Sequence, residues 1–554
     1  MGGREPRQME DIGLIHPEGR FLEPKGPILI GLHRPNYFVK NLRKNSHYIK
    51  LGVTLDGQDV TNECNFPNDD VKVECGEPVF EIKNPFPFYG TTYILKYAAD
   101  RFKNDPLSFR FKRSFDITND EDSIFEEILE GRVLAGGNKT VALHHFPRHV
   151  LLSLAVNSKS PKVLQALSEI ACDLVQDHHG NPIGLKFVKG DDERPHPLIH
   201  DKALFEAVAN NPNLPDSYKR VMVLNPGVQG QNPIVGEYIN DKTHVWEYLR
   251  KNSYIPWGHF ASNMAQDAIR YSVNDLTLED IKGLRFLYYQ RIYCQLATSL
   301  GITISEEGFS SDKELEEFRI TLLGNVKKTI DSGKDIPFNA NLWGWNYGFG
   351  YASSGYRLHA SHQQIHNQYA LVPKRCAKEV SAYVVGDLVR DFIWRYEAKF
   401  KTSFFDAYIE AIRSNSRTDG SGEGPKELII FEDENVMAFC PKAQRSQGEV
   451  QLMAKRPVGN ILEADSSMRN SIDKGILLVM KALSRLGAEM ITVYEVSKRY
   501  DDLNSCQRLF YCFLPRHENS PGSMSEAQGR WITGHYPEDF AWALRNHIEN
   551  RLIQ

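Results

Sequence analysis

The chain has 554 residues, 41% hydrophobic and 25% charged, with a net charge of -5. That length exceeds what one hydrophobic core organises, so roughly two to four domains are expected. The mild acidity gives no basic footprint, which argues against nucleic acid or an anionic membrane as partner. Any phosphate must be held by a local pocket.

The eight cysteines (Cys64, Cys75, Cys172, Cys294, Cys376, Cys440, Cys506, Cys512) are scattered, with no CxxC pair. This fits reduced thiols in a cytoplasmic protein and does not support a zinc thiolate site. Met1 to Arg20 is charged and lacks an apolar stretch, and nowhere do about 18 apolar residues run together. Neither a secretory signal nor a transmembrane helix is expected.

In chain order, Gly26 to Arg113 shows short β-like runs: Pro27 to Ile30, His47 to Leu51, Val71 to Val73 and Thr91 to Leu95. Asx, Gly and Pro turns separate them. Thr140 to His145 reads as a strand that His149 to Leu152 continues. A helix follows from Ser160, with Val163, Leu164, Leu167, Ile170 and Leu174 at helical spacing. His144, His145 and His149 could form a site, but histidines beside Pro147 and Arg148 are as easily an exposed strand end. The Pro-, Asn- and Asp-rich stretch Pro195 to Pro215 suggests a boundary near Asn210. Arg220 to Leu224 then reads as a strand. The glycines after it (Gly227, Gly230, Gly236) lack the spacing of a phosphate loop or dinucleotide fingerprint.

Thr277 is a good N-cap, with Asp280 as its capping-box partner. Ile281, Leu284, Leu287, Tyr288 and Ile292 form the apolar face of that helix, and Gly301 is its expected stop. Further helices are expected over Lys313 to Ile330 and over a long segment from Lys378 to Ser414. Asp419 to Pro425 reads as a linker. Beyond it come paired strands (Val436 to Pro441, Val450 to Met453), a helix from Asp465 stopping at Gly487, and strands Met490 to Val496 and Leu509 to Leu514. The recurring strand–strand–helix–strand–strand order suggests a duplicated α+β unit, the first copy carrying a long insertion.

The chemistry concentrates in Gly355 to His366, which holds His359, His362 and His366. This stretch follows Asn346-Tyr347-Gly348-Phe349-Gly350 and runs into Tyr369 to Pro373. A neutral imidazole is a competent nucleophile toward phosphorus near neutral pH. In a strand, His362, Gln364 and His366 share one face, with His359 and Ser361 on the other. The turn carrying Gly350, Ser353, Ser354 and Gly355 could cradle a phosphate, and Arg357 could add a bidentate contact. The plainer alternative is a half-exposed sheet face of alternating polar residues. A metal site has less support, because no cysteine or carboxylate lies nearby.

These residues resemble the histidine-triad superfamily, in the branch of galactose-1-phosphate uridylyltransferases and diadenosine tetraphosphate phosphorylases. That branch shows a Gly/Ser turn, then His-x-His-x-Gln, then an apolar strand ending near Pro. His362-Gln363-Gln364 matches the second His and the Gln, and Leu371-Val372-Pro373 matches the end. Ala360 stands at the first His, with His359 or His366 as substitutes. Pro256-Trp257-Gly258-His259, followed by Asn274 to Thr277, resembles the family's upstream strand and helix start. Asn435, Phe439, Pro441, Arg445, Glu449-Val450 and Lys455-Arg456 resemble the matching strand pair of the second half, whose last strand lacks His-x-His. The paired cysteines that hold zinc in many uridylyltransferases are absent.

The resemblance implies an α+β fold: a duplicated HIT-like antiparallel sheet with helices, preceded by a β-rich N-terminal region. Residues 1–210 would form that region, 211–418 the half carrying the His motif, and 419–554 the half without a nucleophile. It further implies a nucleotidyltransferase or phosphorylase acting on nucleotides or nucleotide sugars through a nucleotidyl-histidine. His362 would be the catalytic nucleophile, and Gln364, Asn346, Ser353, Ser354, Arg357, His359 and His366 would bind substrate. The alternatives are a nucleoside polyphosphate hydrolase and a non-catalytic nucleotide-binding protein, the latter favoured by Ala360. No cofactor is required by this reading, and a divalent metal and a homodimer are left open. Neither nucleic acid nor membrane is an expected partner.

Overall fold

The computed structural model describes residues 15–16, 20–21, 30–33, 36–74, 79–82, 90–111, 120–129, 143–228, 232–251, 255, 257–264, 269, 272–304, 308–348, 365–377, 380–516 and 523–549. Strands β1 (Ile234–Ile239), β2 (His244–Arg250) and β3 (His259–Met264) form a meander. Helices α1 (Leu278–Ser299) and α2 (Asp312–Asp331) follow, and then β4 (Phe338–Tyr347) and β5 (Ile365–Pro373). After α3 (Gly386–Phe400) and α4 (Phe404–Arg413) the pattern repeats. It runs β6 (Ile429–Glu432), β7 (Val436–Phe439), β8 (Val450–Ala454), α5 (Ser466–Arg485), β9 (Ile491–Val496) and β10 (Phe510–Pro515), with α6 (Pro537–Glu549) behind it.

These strands make one ten-stranded antiparallel sheet in the order β1-β2-β3-β5-β4-β9-β10-β8-β7-β6. Each half therefore runs first-second-third-fifth-fourth, and the two fourth strands, β4 and β9, pair at the centre. The duplication read from the sequence is present, with one more edge strand per half. Both principal helices start where their caps predict. The Thr277 side chain accepts from the Asp280 N–H while Asp280 accepts from the Thr277 N–H, and Asp465 accepts from the Met468 N–H. Gly301 and Gly487, at φ 72° and 87°, follow their ends.

Helices α1 and α5 cover one face of the sheet, packing Ile281, Leu284, Ile472 and Ile476 against Trp345, Tyr369, Val493 and Phe513. Each such burial contributes about 1.5–3 kcal/mol. A polar seam crosses this core. Arg285 of α1, fully buried, donates to the Tyr289 and Tyr511 hydroxyls at 2.8 and 2.7 Å and lies 3.4 Å from Asp473 of α5.

The N-terminal region has short strands interleaved with helices. Its five-stranded sheet, which includes Lys50–Thr54 and Pro182–Lys189, packs with helices Arg148–Asn157, Pro161–Ala171 and Lys202–Ala209. That buried cluster runs from Leu51 to Val228, so residues 211–228 pack with it. Leu42 and Phe66, on either side of the strand Lys50–Thr54, also meet the main sheet. The Leu42 N–H donates to the Val235 carbonyl at 2.8 Å, and Phe66 packs edge-on against Trp246. The Leu42 bond takes up one backbone carbonyl of the edge strand β1.

Several expectations are corrected. His149 to Leu152 lies in the helix Arg148–Asn157, where Leu151, Leu152, Leu154 and Ala155 are buried. Arg220 to Leu224 is a buried π-helical turn continuing Asp216–Lys219. A short apolar run suits a buried helix as well as a strand. Leu174 begins a strand, because the helix before it ends at Ala171. The expected helix over 378–414 is two helices starting at Gly386, divided at left-handed Lys401 (φ 58°); Phe404 folds back onto Phe392 and Tyr396. The 419–425 segment is tethered: Asp419 pairs with Lys103 at 2.8 Å, and neighbouring Arg417 pairs with Asp539 at 2.7 Å. Among the described residues, no helix is long and apolar enough to cross a membrane.

Candidate functional site

Strand alternation assigns each residue of the central strands to a face. On β5, Ile365, Tyr369 and Leu371 join the core under the helices, and Asn367 donates to Ser262 at 2.5 Å in that layer. His366, Gln368 and Ala370 therefore face outward. The same parity turns Leu342, Gly344 and Asn346 of β4 outward, with His259, Ala261 and Asn263 of β3 and Thr492 and Tyr494 of β9.

Register brings these residues into rows. His366 lies opposite Asn346, which lies opposite Thr492. The next row runs Ala261, Gln368, Gly344, Tyr494, Cys512, Gln451 across both halves. His366, Gln368, Gly344, Asn346, Thr492 and Tyr494 are all half-buried. The flanks of this outer face are covered. Phe66 packs over Trp246 and Tyr248, Phe405 over Met437, Phe439 and Met453, and Ala382 with Val384 over Ala340 and Val372. Among the described residues, a half-buried trough remains between them. Its floor is Gly344, where an added Cβ would meet, among the described residues, the Val493 carbonyl oxygen at 3.5 Å. Glycine inside a central strand is the usual sign of close approach by a ligand or another backbone.

The trough is polar and tuned. His259, only 4% exposed, is held neutral: its pKa falls to about 4 through burial, with the nearby Arg250 charge as second cause. The Gln368 side chain is hydrogen-bonded to it and acts the other way. At the opposite wall, Arg445 donates to Glu449 at 2.7 Å and to Cys512 at 3.1 Å, and lies over the Tyr494 ring. Burial pushes the Cys512 thiol up to about 12, which makes it an inert neighbour. Asn263 Oδ1 is buried without a partner.

Of the residues singled out in the sequence, Asn346 and His366 are brought directly opposite one another. His362, Gln364, Ser353, Ser354, Arg357 and His359 lie outside the described residues. Gln368, Gly344, Tyr494 and Arg250 were missed as site residues. The signal for Gln368 was present, because the His-x-Gln spacing recurs at His366-Asn367-Gln368 with the parity of Gln364. Nothing local marks Gly344 or Tyr494. His144, His145 and His149 are exposed. Among the described residues, no three His, Cys, Asp or Glu side chains are grouped to hold a metal.

No family model matches this chain, and no curated protein matches it. Among solved structures it is similar to a uridylyltransferase mutant at 10% identity and a TM-score of 0.38, over 57% of this chain and 91% of that one. It is similar to a galt-like protein from Arabidopsis thaliana at 14% identity and TM-score 0.34, over 55% and 83% of the two chains. It is also similar to an ADP-glucose phosphorylase from Arabidopsis thaliana with bound ADP-glucose at 13% identity and TM-score 0.35, over 55% and 82%.

Proposed function

We propose that the trough is a centre for nucleotidyl transfer, with the His366 imidazole as the attacking group. The observation that carries this is the cross-strand placement of His366 opposite Asn346, beside Gln368 and the open floor at Gly344. The half-buried His366 imidazole, through an unprotonated ring nitrogen, can attack the α-phosphorus of a nucleotide or nucleotide sugar. A P–N bond forms as the P–O bond to the leaving phosphate or sugar phosphate breaks. An acceptor phosphate then attacks the same phosphorus, the P–N bond breaks, and the imidazole is regenerated. Gln368, oriented by His259, presents amide N–H donors to the phosphoryl oxygens, and Asn346 adds a second amide from the adjoining strand. Positioned donors of this kind stabilise developing charge without reorganising during the reaction, and holding the reactants in line supplies much of the rest.

The test is incubation with nucleotides and nucleotide sugars labelled at the α-phosphate, followed by an alkaline quench. The expected result is a base-stable, acid-labile adduct that is lost in His366→Asn and kept in His362→Asn. The reverse pattern moves the nucleophile to His362. Nucleotide release without an adduct makes the protein a hydrolase, and binding without either removes the enzymatic reading.

A further inference from the structure

One cation at the trough has no counter-charge among the described residues. Arg250 ends β2 on the outer face, with His259 as its direct cross-strand neighbour. It is half-buried. The other buried or half-buried arginines described have a carboxylate or hydrogen-bond partner: Arg291 has Glu247, Arg417 has Asp539, Arg445 has Glu449, Arg499 has Asp387. Arg250 has neither among the described residues. Burial alone shifts its guanidinium, downward, with no acid opposing the shift. Lys251, next in the chain, is likewise shifted down by burial and then by the charge of Arg194. A desolvated guanidinium without a partner is costly unless an anion arrives to meet it.

The register sets how far Arg250 stands from His366. Arg250 aligns with His259 and, through it, with Ala370, which lies four residues beyond His366 on β5. Four residues along and two strands across place the Arg250 and His366 Cα atoms about 16 Å apart. Both residues stand on the outer face, and a ligand that meets each of them without drawing the two side chains together must extend along the trough. A nucleoside or hexose unit can span the gap, passing over Gln368 and His259.

We infer that Arg250 is the anion-binding end of the trough, where the ligand places a second acidic group, a phosphate or a carboxylate, apart from the phosphorus that faces His366. The identity of that first group rests on the nucleotidyl-transfer reading; the anion end itself does not. A guanidinium can grip either group bidentately.

The experiment uses the full chain and calorimetry. Nucleoside diphosphate-hexoses carrying uracil, adenine or guanine are compared with the matching hexuronates and with their hexosyl 6-phosphate counterparts. The acid-bearing ligand should bind about ten- to a hundredfold tighter. That preference should vanish in Arg250→Gln and in Arg250→Met, and survive in part in Arg250→Lys. A preference for the uronate identifies a carboxylate, and one for the 6-phosphate a phosphate. No preference in the native protein, or one that persists in both neutral variants, overturns the inference. Tripolyphosphate alone separates the two readings, because it needs no nucleotide chemistry. Weaker binding in Arg250→Gln keeps the anion end even if no adduct ever forms on His366, and equal binding removes it.

Discussion

Gly344 of β4 lies directly opposite Tyr494 of β9, at the seam where the two halves of the sheet join. Glycine inside a strand costs roughly 0.5–1 kcal/mol relative to alanine. Here the missing side chain leaves open the space between Gln368 and the tyrosine ring. The seam thus serves the site as well as the fold, because it brings the outer-face residues of the second half beside those of the first.

Filling that space should separate binding from stability. In Gly344→Val the added methyls rise into the trough while the backbone stays extended. Nucleotide affinity should fall at least about tenfold, with the unfolding midpoint unchanged or raised. Calorimetry and thermal unfolding on the same sample check this. Unchanged affinity would place the ligand elsewhere.

His259 makes stability depend on pH. Its pKa is about 4 in the folded chain, against an ordinary value of about 6.5, so the unfolded chain takes up the proton first. Stability is full above about pH 6.5 and declines as pH falls toward about 4, by as much as about 3 kcal/mol. His259→Gln should flatten that slope in urea titrations run across the window. It should also weaken the first transfer step, by freeing Gln368 to rotate.

Glu247 of β2 neutralises Arg291 of α1 in a fully buried pair, and accepts from the Tyr369 hydroxyl at 2.9 Å. The same guanidinium donates to the Lys40 carbonyl at 2.7 Å, which ties the N-terminal segment to the core. Glu247→Gln leaves a buried cation uncompensated and should cost about 3–5 kcal/mol. Chemical denaturation reads the loss, and limited proteolysis should show cleavage near residue 40 first.

Thr277→Ala removes half of the capping box at the start of α1. The Asp280 N–H loses its acceptor, and destabilisation of about 1 kcal/mol is expected. Affinity at the trough should not change, because the cap lies on the opposite face of the sheet. A matching loss of affinity would mean that α1 positions the site more directly than packing suggests.

Much of the architecture was legible in the chain. Thr277 with Asp280, Asp465 and the stops at Gly301 and Gly487 are local chemistry, so both principal helices could be placed from their ends. The strand–strand–helix–strand–strand recurrence could be read because each element carries its own periodicity. The errors fell where local signals are degenerate. Val221 to Leu224 is apolar enough for strand or helix, and only packing against the N-terminal helices selects the turn. The aromatic run through Phe392, Tyr396 and Phe404 looks like one helix until Phe404 folds back on the first two.

The sequence by itself determined the duplicated α+β plan and pointed to 346–366 for the chemistry, since caps, alternation and histidine spacing depend on neighbours in the chain. The tertiary structure alone decided that Asn346 faces His366, that Gly344 and Tyr494 meet across the two halves, and that Arg250 stands without a partner among the described residues. These are facts of register and burial between strands far apart in sequence. Sliding β4 against β5 by one residue would turn the opposing side chains to the other face, and packing Trp343, Trp345, Tyr369 and Leu371 together under the helices holds the register.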